Sequence, residues 1–186
     1  MAVIVHCSRP PWKMSITSHS SYNCPFSICD GLVTHSLSAA FGGSFAVFCG
    51  LDECIQLLAH YKYSTEDIQY IRTLLPWARE EFFSQFLPSV DCSNVHLFAR
   101  QDGSVALPSL PLLRVEGPLA VTQLLETTLL NLVNYASLVA TNAAQHRIAA
   151  GNKALIVEFG LRRAQGPDGA LHASKYCYLG GVDATS

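Results

Sequence analysis

The segment 154–169 constrains the fold of this chain more than any other. An apolar, strand-like run is followed by Phe159, by the adjacent Arg162 and Arg163, and then by a helix-opening Pro167. A strand that leads directly into a helix is the repeating unit of α/β proteins. Anionic ligands bind at such junctions because backbone N–H groups and the helix dipole favour negative charge there. The segment therefore predicts an α/β fold with a ligand-facing loop.

Composition and charge exclude several classes of protein. The chain has 186 residues, enough to bury a core, and only 14% of them are charged, so some apolar surface needs a partner. With a formal net charge of -2 and no Lys/Arg run, we expect no nucleic-acid partner. The apolar stretch near 124–138 is interrupted by Glu126, Asn131 and Asn134, so we expect no membrane span.

The cysteines predict reduced thiols rather than disulfides. An odd number, 7, does not fit a disulfide scaffold, and the spacings of Cys24 to Cys29 and Cys49 to Cys54 are not those of a zinc ribbon. Reduced thiols are typical of cytosolic proteins. We therefore predict a cytoplasmic protein without a metal site.

Three regions differ in character. Residues 1–40 carry few charges and show neither a helical nor an alternating apolar period, which predicts irregular or poorly ordered chain. Residues 41–150 contain clear helical and strand patterns. Residues 151–186 hold a strand, a helix and the start of another strand, which is the α/β repeat.

The middle region predicts a series of helices. One helix is expected to end near Tyr61, and a capping box at Ser64–Asp67 opens a second with Ile68, Ile71 and Leu75 on its buried side. A third, at Ala78–Leu87, is expected to bury Phe82, Phe83 and Phe86. A long helix runs from Pro118 towards Ala150, with Gly151 as its C-cap. Apolar residues cover much of the circumference of the long helix, which predicts burial between layers or subunits.

Strands are expected on both sides of the long helix. Asp102-Gly103 is a hairpin signal that would join strands at 95–99 and 104–107. After the long helix, a strand at 154–159, a helix at 167–178 and a turn at Gly180-Gly181 are expected.

Six segments carry the pattern of a known family: 41–47, 114–118, 125–127, 140–144, 158–169 and 180–186. On these segments, from Phe41 to its end, the sequence resembles nicotinate phosphoribosyltransferase. The resemblance implies an α/β fold in which an α+β N-terminal part, 41–150, precedes the first βα units of an irregular α/β barrel, 151–186. It further implies that this chain holds only part of the barrel.

The resemblance also implies an activity. The family joins nicotinate to 5-phosphoribosyl-1-diphosphate with ATP hydrolysis, giving nicotinate mononucleotide and pyrophosphate in the first step of NAD synthesis from nicotinate. Nicotinate offers a flat ring and a carboxylate, which call for a stacking face and a cation. The phosphates of the ribosyl donor favour arginine, backbone N–H groups and Mg²⁺. The complete enzyme is therefore expected to use ATP and Mg²⁺ and to form a homodimer.

Five residues match substrate-binding positions of the family: Phe159, Gly160, Leu161, Arg162 and Asp183. Phe159 matches the residue that stacks on the pyridine ring, and Arg162 matches the ligand-facing arginine. Asp183 matches an acidic residue near the pyridine substituent. Behind these, the resemblance places Arg163, Gln165 and Thr185 as supporting residues.

The residues themselves leave simpler roles open. Phe159 could be a core ring, and Arg162 or Arg163 could form a structural ion pair with Glu158 or Asp168. Asp183 could be a turn or cap residue.

Two features of the family pattern have no match. The family's N-terminal Asp-Leu-Tyr-like stretch is missing from 1–40, and Tyr22 stands in an unrelated context. Neither His146 nor His172 matches the family's phosphate-accepting histidine, so we assign no catalytic residue and expect the chain alone to be inactive. The alternative function is a non-catalytic interaction module that pairs with full-length subunits. A nicotinamide-using relative is disfavoured because Leu161–Gly166 follows the nicotinate branch.

Overall fold

The fold was analysed on a computed structural model of the chain. It describes residues 45–107 and 111–185, together with the backbone of three short strands at 3–6, 26–29 and 32–35. Most of the region predicted to be irregular, 1–40, therefore lies outside the described residues. At the three strands the chain is extended and paired, which differs from the irregular structure predicted there.

The described chain combines strands and helices, in line with the α/β prediction. The strands are β1 Val3–His6, β2 Phe26–Cys29, β3 Leu32–His35, β4 Ala46–Val47, β5 His96–Ala99, β6 Val105–Ala106, β7 Leu113–Glu116, β8 Val157–Glu158 and β9 Ala184–Thr185. The α-helices are α1 Leu51–His60, α2 Thr65–Leu74, α3 Leu87–Ser89, α4 Leu119–Ala150 and α5 Gly166–Leu179. A π-helix at Phe82–Phe86 precedes α3, and a 3-10 turn at Leu161–Arg163 precedes α5.

Local capping signals are confirmed. The Ser64 hydroxyl accepts the Asp67 N–H, and the Asp67 carboxylate accepts the Ser64 N–H in return, which is the predicted capping box at the start of α2. Pro118 precedes the first residue of α4, and Gly151 ends that helix in the left-handed region, at φ +67°. These contacts involve near neighbours in sequence, which is why the sequence predicts them.

The largest sheet is antiparallel, with strand order β1-β5-β7-β3-β2. Strand β6 pairs with β4 in a separate two-stranded sheet. The predicted hairpin between the strands around 95–99 and 104–107 is therefore wrong. The turn itself exists, with Gly103 at φ +82°, but it connects two different sheets because each strand finds its partner far away in sequence.

Helix α4 packs into two hydrophobic clusters. The first joins it to β5, β7 and α1, and its fully buried members include Leu97, Leu125 and Val133. The second joins it to the β4 segment and α5 through Ala136, Ala140 and Tyr176, among others. Burial of the long helix is confirmed on these sides. Another part of its surface remains exposed at Leu124, Tyr135 and Leu138.

The aromatic helix is less buried than predicted. Of its three phenylalanines, only Phe83 is fully buried, whereas Phe86 is 42% exposed. Phe82 stacks on Phe86, with 5.6 Å between the ring centroids. The π-helical backbone rotates successive side chains differently from an α-helix, so the three rings do not share one buried face. Helix α2 likewise contains no fully buried residue.

Cys49, Cys54, Cys92 and Cys177 carry thiols rather than disulfides, as expected of reduced cysteines. Cys49, Cys54 and Cys92 are buried, and Cys177 is partly buried. Burial raises the pKa of Cys49 to about 11 and that of Cys54 to about 12, because the thiolate is costly to desolvate. Both thiols are therefore neutral and unreactive at physiological pH.

Two hydroxyl groups hold β4 and the residues after it against α4. The Thr141 hydroxyl accepts the Val47 N–H at 2.9 Å and donates to the Ser137 carbonyl. The Ser137 hydroxyl accepts the Cys49 N–H at 3.1 Å and donates to the Cys49 carbonyl. These backbone groups are buried, so they need partners from the helix.

We expect Thr141→Val to lower the free energy of unfolding by about 1–3 kcal/mol, because it leaves the buried Val47 N–H without an acceptor. The matched control is Thr128→Val on the exposed side of the same helix, which has the same change in side chain and should be nearly neutral. Urea denaturation of both variants measures the difference. Equal stability of the two variants would contradict the role assigned to Thr141.

Candidate functional site

The predicted strand-to-helix junction is present, and a parallel strand pair positions it. Strand β8 pairs with β9 in the register Val157 to Ala184 and Glu158 to Thr185. The regular strand is shorter than the predicted 154–159. The predicted helix at 167–178 is confirmed and extends by one residue at each end. The loop between β8 and α5 thus leaves the carboxyl end of the strand, where α/β folds bind ligands.

The Glu158 carboxylate organises the start of this loop. One oxygen accepts the Gly160 N–H, and the other accepts the Ser174 hydroxyl of α5 at 2.8 Å. A Cβ added at Gly160 would lie 2.6 Å from the first oxygen, so the carboxylate would have to move. Glycine at 160 therefore lets Glu158 tie the turn to the helix.

Phe159 projects into solvent and is 73% exposed, so its ring is not part of the hydrophobic core. Leu161, Arg162 and Arg163 form the 3-10 turn and are also exposed. Within the described residues, neither guanidinium group takes part in an ion pair or hydrogen bond, including the alternative pairs with Glu158 or Asp168. An open aromatic ring and two unpaired cations therefore share one short turn.

Asp183 lies at the other end of the strand pair. Its carboxylate accepts the Ile156 N–H at 2.8 Å and forms an ion pair with Arg147, and its own N–H donates to the Ile156 carbonyl at 3.0 Å. Phe159 follows β8, whereas Ile156 precedes it, so the structure separates Asp183 from the Phe159–Arg163 turn. These contacts fit the turn role that the sequence had left open for Asp183. A direct contact with substrate remains a prediction.

Two of the three supporting residues, Gln165 and Thr185, line cavities, whereas Arg163 lines neither. Gln165 lines a cavity of about 260 Å³ between α4 and α5, together with Tyr135, whose hydroxyl donates to the Gly169 carbonyl at 2.9 Å. Thr185 lines a larger cleft of about 740 Å³ between α1 and α5. No residue of the 3-10 turn at Leu161–Arg163 lines either cavity.

A polar cluster that the sequence analysis missed joins α1 to α5. The Lys175 ammonium donates to Glu53 Oε1 at 2.8 Å, and His172 Nε2 lies 3.9 Å from the same oxygen. Burial opposes ionisation of Glu53, but the hydrogen bond from the Lys175 ammonium and the nearby Tyr176 side chain outweigh it and lower the pKa of Glu53. His172 therefore belongs to a structural cluster around Glu53. Its members lie 122 residues apart, so no local signal could identify it.

Arg147 was also missed. It is the basic residue in the last turn of α4. A cation at that position is ordinarily explained by the helix dipole alone, so the sequence did not identify its partner Asp183. His146, one residue earlier, is exposed, and its ring contacts the Asn142 carbonyl of its own helix.

Among the described residues, no group of three or more His, Cys, Asp or Glu residues is arranged to hold a metal ion. No helix in the same part of the chain is both long and apolar enough to cross a membrane.

Comparison with known proteins points to one family. The model of the nicotinate phosphoribosyltransferase (NAPRTase) N-terminal domain matches residues 36–134. Nicotinate phosphoribosyltransferase 1 of Arabidopsis thaliana is 59% identical over 78% of this chain, and the nicotinate phosphoribosyltransferase of Homo sapiens is 51% identical over the same share. The chain spans only 26% and 27% of the length of these two relatives.

Solved structures give the same result. The crystal structure of human nicotinic acid phosphoribosyltransferase superimposes with a TM-score of 0.72 at 51% identity, over 78% of this chain and 29% of that one. Nicotinate-nucleotide pyrophosphorylase from Pyrococcus furiosus reaches a TM-score of 0.55 at 24% identity, over 84% and 31% of the two chains, which supports the fold alone.

The α/β fold matches that of a solved phosphoribosyltransferase. Within that class, the chain belongs to the nicotinate phosphoribosyltransferase family, because the family's N-terminal domain matches it and relatives more than half identical carry that name. The family resemblance drawn from the sequence is therefore confirmed.

We predict that the carboxyl group of Asp183 titrates below its ordinary pKa of 3.8, because the Ile156 N–H and the Arg147 guanidinium stabilise the carboxylate. Since the pKa is lowered in the folded state, this contribution to stability is complete above about pH 5 and is lost as the pH falls through the folded value. Carbon-13 NMR of the carboxyl group measures the titration directly. A midpoint at or above 3.8 would contradict the contacts described for Asp183.

Proposed function

We propose that this chain supplies the ring-stacking and carboxylate-binding wall of a nicotinate phosphoribosyltransferase site. The observation that carries the proposal is the exposed Phe159 ring beside two arginines that lack ionic partners within the described residues. An exposed ring offers a stacking face, and a guanidinium without a structural partner offers hydrogen-bond donors, so together they suit a flat anionic ligand.

The chemistry of nicotinate fits this turn. Its pyridine ring can stack on Phe159, and its carboxylate can accept two parallel hydrogen bonds from the Arg162 guanidinium. Gly160 and Leu161 form the backbone that joins these two groups. Arg163 offers a second cation towards the phosphates of 5-phosphoribosyl-1-diphosphate.

The complete reaction is proposed for the complete enzyme. The chain spans about a quarter of the length of its relatives, so ATP and Mg²⁺ binding, homodimer formation and the transfer step belong to that larger protein. For this chain alone we propose ligand binding without turnover. Incubation with nicotinate, ATP and the ribosyl donor should yield no mononucleotide, and measurable turnover would contradict this part of the proposal.

We expect Arg162→Ala to weaken nicotinate binding about tenfold to a hundredfold, because it removes a charge-assisted hydrogen-bond donor to the carboxylate. Ligand-observed NMR titration of the purified chain measures the affinity. Binding of nicotinamide, which lacks the carboxylate, should change little in the same variant.

The matched control is Arg79→Ala, an exposed arginine in another part of the chain. This control should bind nicotinate as the wild type does. Equal affinities for Arg162→Ala and Arg79→Ala would show that Arg162 does not contact the substrate.

A second function is favoured by a separate observation. Large apolar side chains are exposed around β8 and on α5, and these are Leu155, Leu161, Leu171, Tyr178 and Leu179. The β8–β9 pair also has open edges among the described strands. Both features suit a non-catalytic interaction module that docks on a full-length subunit of the same family.

Co-expression with a full-length family member tests this alternative. A mixed dimer should co-purify through a tag placed on the shorter chain. Replacing exposed Leu171 by Asp should abolish it, whereas a matched Leu74→Asp change on α2 should not. Failure to recover a mixed dimer would contradict the interaction function and leave ligand binding unaffected.

A further inference from the structure

We infer that Arg147 is the positioning residue that holds the β8–β9 pair in register and thereby aims Phe159 and Arg162 at the ligand. The inference rests on the proposed function, because it concerns how that ligand-facing turn is held. Arg147 lies at the end of α4, and the family resemblance assigned it no role.

The Arg147 guanidinium contacts both segments that lead into the strands. Before β8, Nη1 donates to the Ala154 carbonyl at 2.9 Å and to the Gly151 carbonyl at 3.4 Å. Before β9, Nε donates to the Gly181 carbonyl at 2.7 Å, and Nη2 pairs with the Asp183 carboxylate. One side chain thus joins α4 to the starts of both strands.

Asp183 extends this link to the strand itself. The carboxylate oxygen that pairs with Arg147 also accepts the Ile156 N–H, and the Asp183 N–H donates to the Ile156 carbonyl. The next residues along both strands are the paired Val157 and Ala184. The Arg147–Asp183 pair therefore fixes the register at the amino end of a sheet that has only two residue pairs.

Register decides where the ligand-facing side chains point. A slip of one residue would reverse the face on which every side chain of a strand lies. Phe159 is three residues beyond Ile156, about 10 Å along an extended chain, so an error at Ile156 would reach the aromatic ring. Such a short strand pair has few hydrogen bonds of its own to resist the change.

The contact pattern requires arginine in particular. Its planar guanidinium presents several donors in fixed directions, and here they reach three carbonyls and one carboxylate. Lysine can keep the charge opposite Asp183 but has a single ammonium group for all four acceptors. The hydrophobic clusters around α4 do not include Arg147, so its loss should affect the junction more than the core.

The test compares Arg147→Gln and Arg147→Lys with the matched control Arg72→Gln in the full chain. Arg72 also forms a two-pronged ion pair at the surface, with Glu80, but it lies on α2 away from the junction. Amide hydrogen exchange reports local order, and NMR titration with nicotinate reports binding.

Arg147→Gln should accelerate exchange at the amides of 156–160 and 183–185 at least tenfold while leaving Leu125 and Leu129 in α4 unchanged. Nicotinate affinity should fall at least tenfold in the same variant. Arg147→Lys should recover only part of both properties. Arg72→Gln should change neither.

Wild-type exchange rates at 156–160 in Arg147→Gln would overturn the inference, as would an equal acceleration throughout the chain, which indicates a loss of global stability. Unchanged nicotinate affinity despite faster local exchange would overturn it too. A wild-type chain that binds no nicotinate would contradict the proposed function instead. In that case the exchange rates still decide whether Arg147 holds the strand pair.

Discussion

Helix α4 is buried between two hydrophobic clusters, and both the sheet and the strand-to-helix junction take their positions from it. One cluster fixes the helix against β5 and β7, and the other fixes it against α5. The close approach of α5 depends on Gly180, where an added Cβ would lie 2.4 Å from the Ala140 carbonyl oxygen. Because a packed interior resists displacement, this helix is a rigid reference for the exposed turn.

Electrostatics separate the junction into a structural end and a ligand-facing end. At the structural end, the acidic Asp183 is satisfied by Arg147 and by a backbone N–H. At the other end, Arg162 and Arg163 have no ionic partner within the described residues, and Phe159 is open to solvent. The charge of Asp183 is therefore used within the fold, whereas the charges of Arg162 and Arg163 can bind an anionic ligand.

Local features of this fold could be predicted from the sequence, and distant pairings could not. The capping box at Ser64–Asp67 and the helix end at Gly151 depend on neighbouring residues, so residue type alone identified them. The hairpin at Asp102-Gly103 was wrong because the turn is local but the partners of its strands are not. The pair Arg147–Asp183 spans 36 residues and has no local signature.

In the candidate site, too, the sequence predicted local features better than distant contacts. Exposure of Phe159 and Arg162 agrees with the ligand-facing roles drawn from the family resemblance, although those roles themselves remain proposals. Asp183 was grouped with them because it has a family match, but the strand register places it beside Ile156 instead. Sequence similarity identifies which residues belong to a site, whereas register and packing decide which of them face the same side.

The most direct test of the account is an intermolecular NOE experiment on the chain with labelled phenylalanine and saturating nicotinate. The account predicts NOEs between the nicotinate ring protons and the ring of Phe159, and none to the buried ring of Phe83. Bound nicotinate that gives no NOE to Phe159, or that gives NOEs to a different aromatic ring, would contradict it.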